Sequence, residues 1–270
     1  MATKTCEKAA LILVLTAGVC IAAECSRTRP PEKADARPSQ AKAQAVDQVL
    51  KQLTERTGSL KSYQGQIEYK FIQPLLESRA LRKGTLYYAR FGKDSKLRIN
   101  FQTLKQDDEK EQKYVEHYIF DGVWLTQLNY QIKSAKKYQL AEPNKPADAF
   151  DIASKNIPLL GFTKIENLKK QFDITLVEQK TPRPASYVQL HLKVKPNSIY
   201  RDDYVCLDFW IDKKLALPTK VVAVSTEEDI YEIRFLKPKL NKRISKKIFE
   251  FTIPKDFGEP EIIPLKKKGQ

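Results

Sequence analysis

Neutral-pH chemistry is carried mostly by histidines, thiols, spaced carboxylates and phosphate-cradling glycine loops. This chain is poor in all four. Its 270 residues include two histidines, His117 and His191, and four cysteines. Each histidine falls in an alternating, strand-like run, without the partners that a zinc site or a histidine-activated nucleophile needs. Asp202-Asp203 and Glu227-Glu228-Asp229 sit beside turn signals. They lack the spaced oxygen ligands of a calcium loop and read as solvated turns. Gly-x-Gly-x-x-Gly, phosphate-loop and Gly-x-Ser-x-Gly elements are absent from the sequence. Cys206 lies in an apolar run and reads as a small core residue. The expectation is a chain that is not an enzyme, with no catalytic residues, metal or cofactor.

The aromatics carry more. Tyr69, Phe71, Tyr88, Phe101, Tyr118, Phe120, Trp124, Phe209, Tyr231 and Phe235 all fall in strand-like runs. Ordinary core accounts for at least half of them. The rest are candidates to line an apolar pocket, since ligand sites are mostly apolar with a few polar anchors. Leu75-Leu76, following Gln73-Pro74, reads either as an exposed loop that touches a membrane or, the plainer reading, as an irregular core contact.

Strands and helices must position these side chains. Ala41–Thr57 has Ala43, Val46, Leu50 and Leu53 at three- and four-residue spacing, which predicts an amphipathic helix that stops near Gly58. Strand patterns follow. Ile67, Tyr69 and Phe71 alternate with polar residues. Gly84–Phe91 and Lys96–Phe101 flank Gly92–Ser95. Tyr114–Phe120 and Val123–Tyr130 flank Asp121-Gly122, a tight-hairpin dipeptide. Gln131–Leu140 reads as a further strand. Pro146–Asn156 and Ile165–Gln171 then read as helical. Strands resume at Val188–Val194, Val205–Ile211, Lys220–Thr226, Ile230–Leu236 and Ile248–Ile253. Such alternation predicts one wet and one buried sheet face, and short links predict an antiparallel meander. A twisted sheet of this size curls. The predicted fold is mainly β: a large curved antiparallel sheet, an incomplete or half β-barrel, with a helical lid over its concave face.

Residues 1–23 carry basic Lys4 and Lys8, an apolar run and small residues near Ala22-Ala23, the layout of a secretory signal. Cys20 follows Val19 and Cys25 follows Glu24, poor contexts for lipidation, so cleavage near Ala22-Ala23 is expected. A polar linker over 24–39 and a single domain over 40–270 follow. The net charge of +15 comes mainly from scattered lysines. A basic surface suits an anionic membrane, nucleic acid or an acidic partner, or is simply a solvated face. Export argues against nucleic acid.

The run Gly84-Thr85-Leu86-Tyr87-Tyr88-Ala89-Arg90, then Leu97-Arg98-Ile99-Asn100-Phe101 and Phe120-Asp121-Gly122-Val123-Trp124, resembles the LolA/LolB superfamily of periplasmic lipoprotein carriers. Ile211–Pro218 and Phe249–Pro254 resemble that family's later strand-turn-strand and closing strand. The resemblance spans roughly Ala41 to Pro260. It implies an incomplete barrel that takes acyl chains under a helical lid. It also implies a periplasmic carrier of lipoprotein acyl chains or lipid, working as a monomer between an inner-membrane donor transporter and an outer-membrane acceptor. The position matching the family's lid-holding arginine is Arg90, with Phe91 where the family has proline. The strand pattern alone leaves Arg90 either wet or inward-facing; the resemblance favours inward. An envelope sensor or scaffold of the same fold, binding a protein partner or acidic lipid head groups, is the alternative function.

Overall fold

The computed structural model describes residues 36–149, 165–178 and 186–265. Helix α1 covers Ala36–Ser59. Its buried stripe is Val46, Leu50 and Leu53. Ala43, expected in that stripe, is exposed. The first turns of α1 lie beside the last strand of the sheet, where ion pairs Lys42–Glu178 and Lys169–Asp47 hold them. Burial begins only where the helix passes over the sheet. The helix runs through Gly58 and ends at Ser59.

The strands that follow are β1 (Ser62–Gln73), β2 (Ser78–Phe91), β3 (Asp94–Gln106), β4 (Gln112–Phe120), β5 (Trp124–Asn129) and β6 (Ser134–Gln139). After helix α2 (Ile165–Gln171) come β7 (Phe172–Val177), β8 (Tyr187–Val194), β9 (Tyr204–Asp212), β10 (Pro218–Ser225), β11 (Ile230–Leu240) and β12 (Glu261–Ile263). They form one sheet in the order β12-β6-β5-β4-β3-β2-β1-β11-β10-β9-β8-β7. Two meanders, β1–β6 and β7–β11, are thus zipped together along the antiparallel β1–β11 pair. The sheet curves but does not close. The predicted half-barrel is therefore the observed fold. One edge departs from the antiparallel expectation, because β12 runs parallel to β6.

Local chemistry explains the shape. Gly92, at φ +70°, makes the two-residue turn between β2 and β3. The β2–β3 register slips between Lys83 and Gly84. There a Cβ on Gly84 would lie 2.0 Å from the Asn100 carbonyl oxygen, so only glycine permits the approach. Such bulges bend a strand and raise its twist. Further slips at Gln64/Gln66 and Phe101/Thr103 bend the same half of the sheet.

The concave face holds the main core. Tyr88, Phe120, Phe209 and Phe235 are buried there with Leu50 and Leu53 of α1 and Leu190, Leu192 and Val221 of the second meander. The Pro146–Asn156 helix expectation falls largely on residues outside those described. Ala149, at its described end, is buried, and its amide donates to Ser95 Oγ at 2.7 Å.

Two expectations about the other face need correcting. The convex side is not uniformly wet: Ile119, Leu128 and Ala135 form a second cluster with Phe257, packed by Tyr130, Phe251 and Ile253. Ile248–Ile253 is also not a strand. It is a 3-10 turn over Lys246–Phe249, capped by Ser245, followed by unpaired extended chain. Its alternating apolar residues pack on the sheet's back rather than join its edge. Arg98 supplies what a neighbouring strand would have, with Nη1 donating to the carbonyls of Ile248 at 2.7 Å and Glu250 at 3.1 Å.

Candidate ligand cavity

Because side chains alternate across a strand, the concave face is fixed by parity. From β1 it takes Ile67 and Tyr69, from β3 Ile99 and Phe101, from β4 Tyr118, and from β11 Tyr231 and Ile233. With Leu125, Leu140, Tyr138 and Tyr204 these enclose a cavity of about 530 Å³. That volume is typical of a small-ligand site. Arg82 and Gln127 are the other described residues lining it.

The cavity lies beside the region that α1 fills. That helix is tied to the second meander by its ion pairs near β7 and by Arg56 Nε, which donates to the Leu215 carbonyl at 3.1 Å. Most of the cavity wall belongs to the first meander.

The sequence candidates divide cleanly. Tyr69, Phe101, Tyr118 and Tyr231 line the cavity. Phe71 stacks on Tyr231 with ring centroids 4.9 Å apart, one step further along β1. Tyr88, Phe120, Phe209 and Phe235 share the face but are sealed in the packed core. Trp124 shares its strand parity with Leu128 and sits on the convex side, with Lys137 Nζ 5.1 Å from its ring. Burial pushes the Tyr69 and Tyr204 hydroxyls up to about 12, so these phenols stay neutral.

Sequence reasoning missed the polar cluster. Glu116 is buried, 2 % exposed, at an inward position of β4. Its carboxylate accepts from Arg82 Nη1 at 3.0 Å and from Gln127 Nε2 at 2.8 Å. The Gln127 amide also donates to Tyr118 Oη at 3.1 Å, and its oxygen accepts from Tyr138 Oη at 3.4 Å. Arg82 lies over the Tyr114 ring at 5.1 Å. One signal was available: Glu116 shares the parity of Tyr118 and Phe120, so a charged residue interrupts an apolar face.

Arg90 is on the concave side with Leu86 and Tyr88, both buried. Its Nη1 donates to the Gly58 carbonyl at 3.0 Å and its Nη2 to Asp148 Oδ2 at 2.9 Å. Gly58 is in the last turn of α1, and Asp148 follows β6. Burying a guanidinium near an apolar face requires such acceptors, and the carbonyl end of a helix is a favourable one. Phe91 points the other way, onto Phe249, with centroids 5.8 Å apart.

The remaining chemical residues lie outside the cavity. His117 is on the convex face, where burial and then the neighbouring Arg98 charge hold it down to about 4. His191, Cys206 and Asp208 meet on the back of β8 and β9 with ligand atoms within 4.8 Å of one another. Asp208 Oδ1 is already engaged by His191 Nδ1 at 3.1 Å and Gln189 Nε2 at 3.2 Å. Cys206 is half-buried on that outer face rather than in the core, and burial then Asp208 raise its thiol. The correction is one of parity: Leu207 and Phe209 take the inward positions of β9. Leu75 and Leu76 are not a core contact; they are 77 % and 69 % exposed on the β1–β2 connection. Among the described residues, no helix is long and apolar enough to cross a membrane.

No family model and no curated protein matches the chain. Solved structures do resemble it. An uncharacterized conserved protein from Thermus thermophilus aligns over 82 % of this chain and 99 % of its own, at 9 % identity and a TM-score of 0.45. MucB aligns over 78 % of this chain at 13 % identity and a TM-score of 0.46, and the chain spans 63 % of MucB's length. LolA superfamily protein NE2245 from Nitrosomonas europaea aligns over 78 % of this chain and 98 % of its own, at 13 % identity and a TM-score of 0.33.

Proposed function

We propose that the protein is a non-enzymatic envelope carrier that holds the acyl chain of a lipid or lipoprotein in the concave cavity. The observation that carries this reading is the cavity of about 530 Å³, walled by Ile67, Ile99, Leu125, Leu140, Ile233 and tyrosines. Each methylene moved from water into such a site contributes about 0.8 kcal/mol. A dozen buried methylenes would contribute roughly 10 kcal/mol, partly offset by lost rigid-body freedom. Arg90 acts as the latch that ties the end of α1 to the segment bearing Asp148 when the cavity is empty. The basic exterior and the exposed Leu75-Leu76 tip suit approach to an anionic lipid surface.

The test is titration of the delipidated mature protein with a fluorescent long-chain acyl probe, followed by displacement with unlabelled acyl compounds. Saturable binding at one site per chain is expected. Folded protein that binds no acyl probe would overturn the carrier reading. Native mass spectrometry of protein taken from an envelope fraction gives the complementary readout, with co-purified lipid expected.

A further inference from the structure

The cavity has a polar end whose chemistry is more selective than its apolar wall. We infer that it selects amphiphiles with an uncharged hydrogen-bonding head, such as a glycerol ester, over those with a free carboxylate or phosphate. This rests on the carrier reading and specifies its ligand class.

Charge makes the discrimination. The chain carries a net +15, yet among the described residues the cations on the concave side near the cavity are each matched by a carboxylate. Arg82 is paired with Glu116 at 3.0 Å. Lys136 stands beside Gln127 in the β5–β6 register and is paired with Glu261 at 2.9 Å. At the far end of β2, Arg90 is paired with Asp148 at 2.9 Å. Burial first, and then the Asp229 and Glu227 charges, raise the hydroxyl of the lining Tyr231. Among the described residues, the cavity region therefore carries no unmatched cation.

Glu116 makes the selection sharp. It is buried behind Arg82 and held at both oxygens, while the Arg82 side chain is 29 % exposed. An anionic head that reached the guanidinium would face a second carboxylate across it, and like charges sharing one site disfavour each other strongly. A neutral head meets no such opposition. Apart from the bond to Glu116, the Arg82 side chain makes no hydrogen bond among the described residues, which leaves guanidinium donors for an ester or amide carbonyl. The Gln127 amide and the Tyr138 hydroxyl, already in contact, can exchange partners with a head-group hydroxyl.

The experiment uses two ligands with the same sixteen-carbon chain, below their aggregation limits at pH 8: 1-monopalmitoylglycerol and palmitate. Each displaces the fluorescent acyl probe from wild-type protein and from Glu116→Gln, whose fold is checked by thermal melting. In wild type the monoacylglycerol is expected to bind roughly tenfold or more tighter than palmitate. Glu116→Gln leaves Arg82 uncompensated and should narrow that ratio several-fold or reverse it, chiefly by tightening palmitate. Equal or tighter palmitate binding in wild type would overturn the inference and leave the carrier reading standing. Failure of both ligands to displace a probe that binds would also overturn the inference, and failure of the probe itself to bind would overturn the carrier reading. A folded Glu116→Gln with an unchanged ratio removes Glu116 from the selection and overturns the charge argument. If that variant fails to fold, the wild-type ranking decides alone.

Discussion

Replacing Arg90 with leucine should open the end of α1 without damaging the sheet. The guanidinium makes two contacts there, to the Gly58 carbonyl at 3.0 Å and to Asp148 Oδ2 at 2.9 Å. A hydrogen bond to a charged group contributes about 1.5–3 kcal/mol. The ion pair, with side chains 32 % and 27 % exposed, is screened and contributes about 0.5–1 kcal/mol. The sum, discounted for exposure, is about 2–3 kcal/mol, or roughly a 30- to 150-fold fall in the ratio of latched to open molecules. Arg90→Lys keeps one charge but cannot span both acceptors, so it should fall between the two. Amide hydrogen exchange across residues 56–60 reads the latch directly, and transfer of a labelled acyl ligand to acceptor vesicles reads its consequence. Arg90→Leu is expected to lose protection at the helix end and to load normally. It should release slowly, because closing the empty cavity no longer recovers the two contacts. Identical exchange and identical transfer in wild type, Arg90→Leu and Arg90→Lys would reduce Arg90 to a surface charge.

Ile99→Trp should lower acyl-probe affinity by about tenfold or more while the melting temperature shifts by only a few degrees, because the extra bulk enters existing space rather than a filled core. Gly84→Ala should be among the most destabilising single changes, costing about 3 kcal/mol or more in urea unfolding, because its methyl group meets backbone at 2.0 Å and not a movable side chain. His117 should make stability depend on acid. Its folded value is depressed to about 4 against 6.5 unfolded, so the unfolded chain takes up a proton first. Stability should therefore fall as pH drops from about 6.5 to about 4 and then level off, with a ceiling of about 3 kcal/mol from this group. Urea melts of His117→Gln at pH 7 and pH 4.5 should differ less than those of wild type; an unchanged difference would assign the acid sensitivity elsewhere.

Strand parity made most of the sheet legible. Leu97, Ile99 and Phe101 against Lys96, Arg98 and Asn100 fix both the element and its buried face, since period two has no other solution. The elements that were missed lacked either the length or the flanking signals of a strand. β12 is three residues held to β6 by parallel pairing, and short edge strands leave little trace in composition. β7 alternates Phe172, Ile174 and Leu176 with Asp173 and Thr175, but it follows α2 without a break and so carries no turn signal to mark its start. The false strand at Ile248–Ile253 had correct alternation and the wrong partner, because alternation reports one-sided burial and not hydrogen bonding. Trp124 is a lining candidate only as an aromatic in a strand-like run, and its own strand puts Leu125 and Gln127 on the cavity side instead. The Arg82–Glu116 pair was beyond sequence reading for a different reason: it joins residues 34 positions apart across three strands.

That pair and the latch sit on the same strand and the same face, which constrains how the carrier can work. Arg82 and Arg90 are eight residues apart on β2, about 26 Å at the usual rise per residue. Leu86 and Tyr88 fill the face between them and are buried. A ligand head at Arg82 therefore cannot displace the bonds of Arg90 by touching them. Coupling has to run either through β2 itself or through the chain that carries Asp148, and the two routes differ in their consequences. The bulge at Lys83/Gly84 lies between the two arginines and breaks the regular ladder there, so a push at Arg82 is absorbed before it reaches Arg90. The segment after β6 has no such interruption: Leu140 lines the cavity, and Ala141 and Ala147 are anchored by backbone bonds to the Val123 and Gly122 carbonyls at 3.3 and 2.8 Å. Loading should therefore act on the latch through residues 140–148. Protection of those amides should change on acyl binding in wild type and in Arg90→Leu alike, whereas a response confined to β2 would assign the coupling to the β2 route and refute this one.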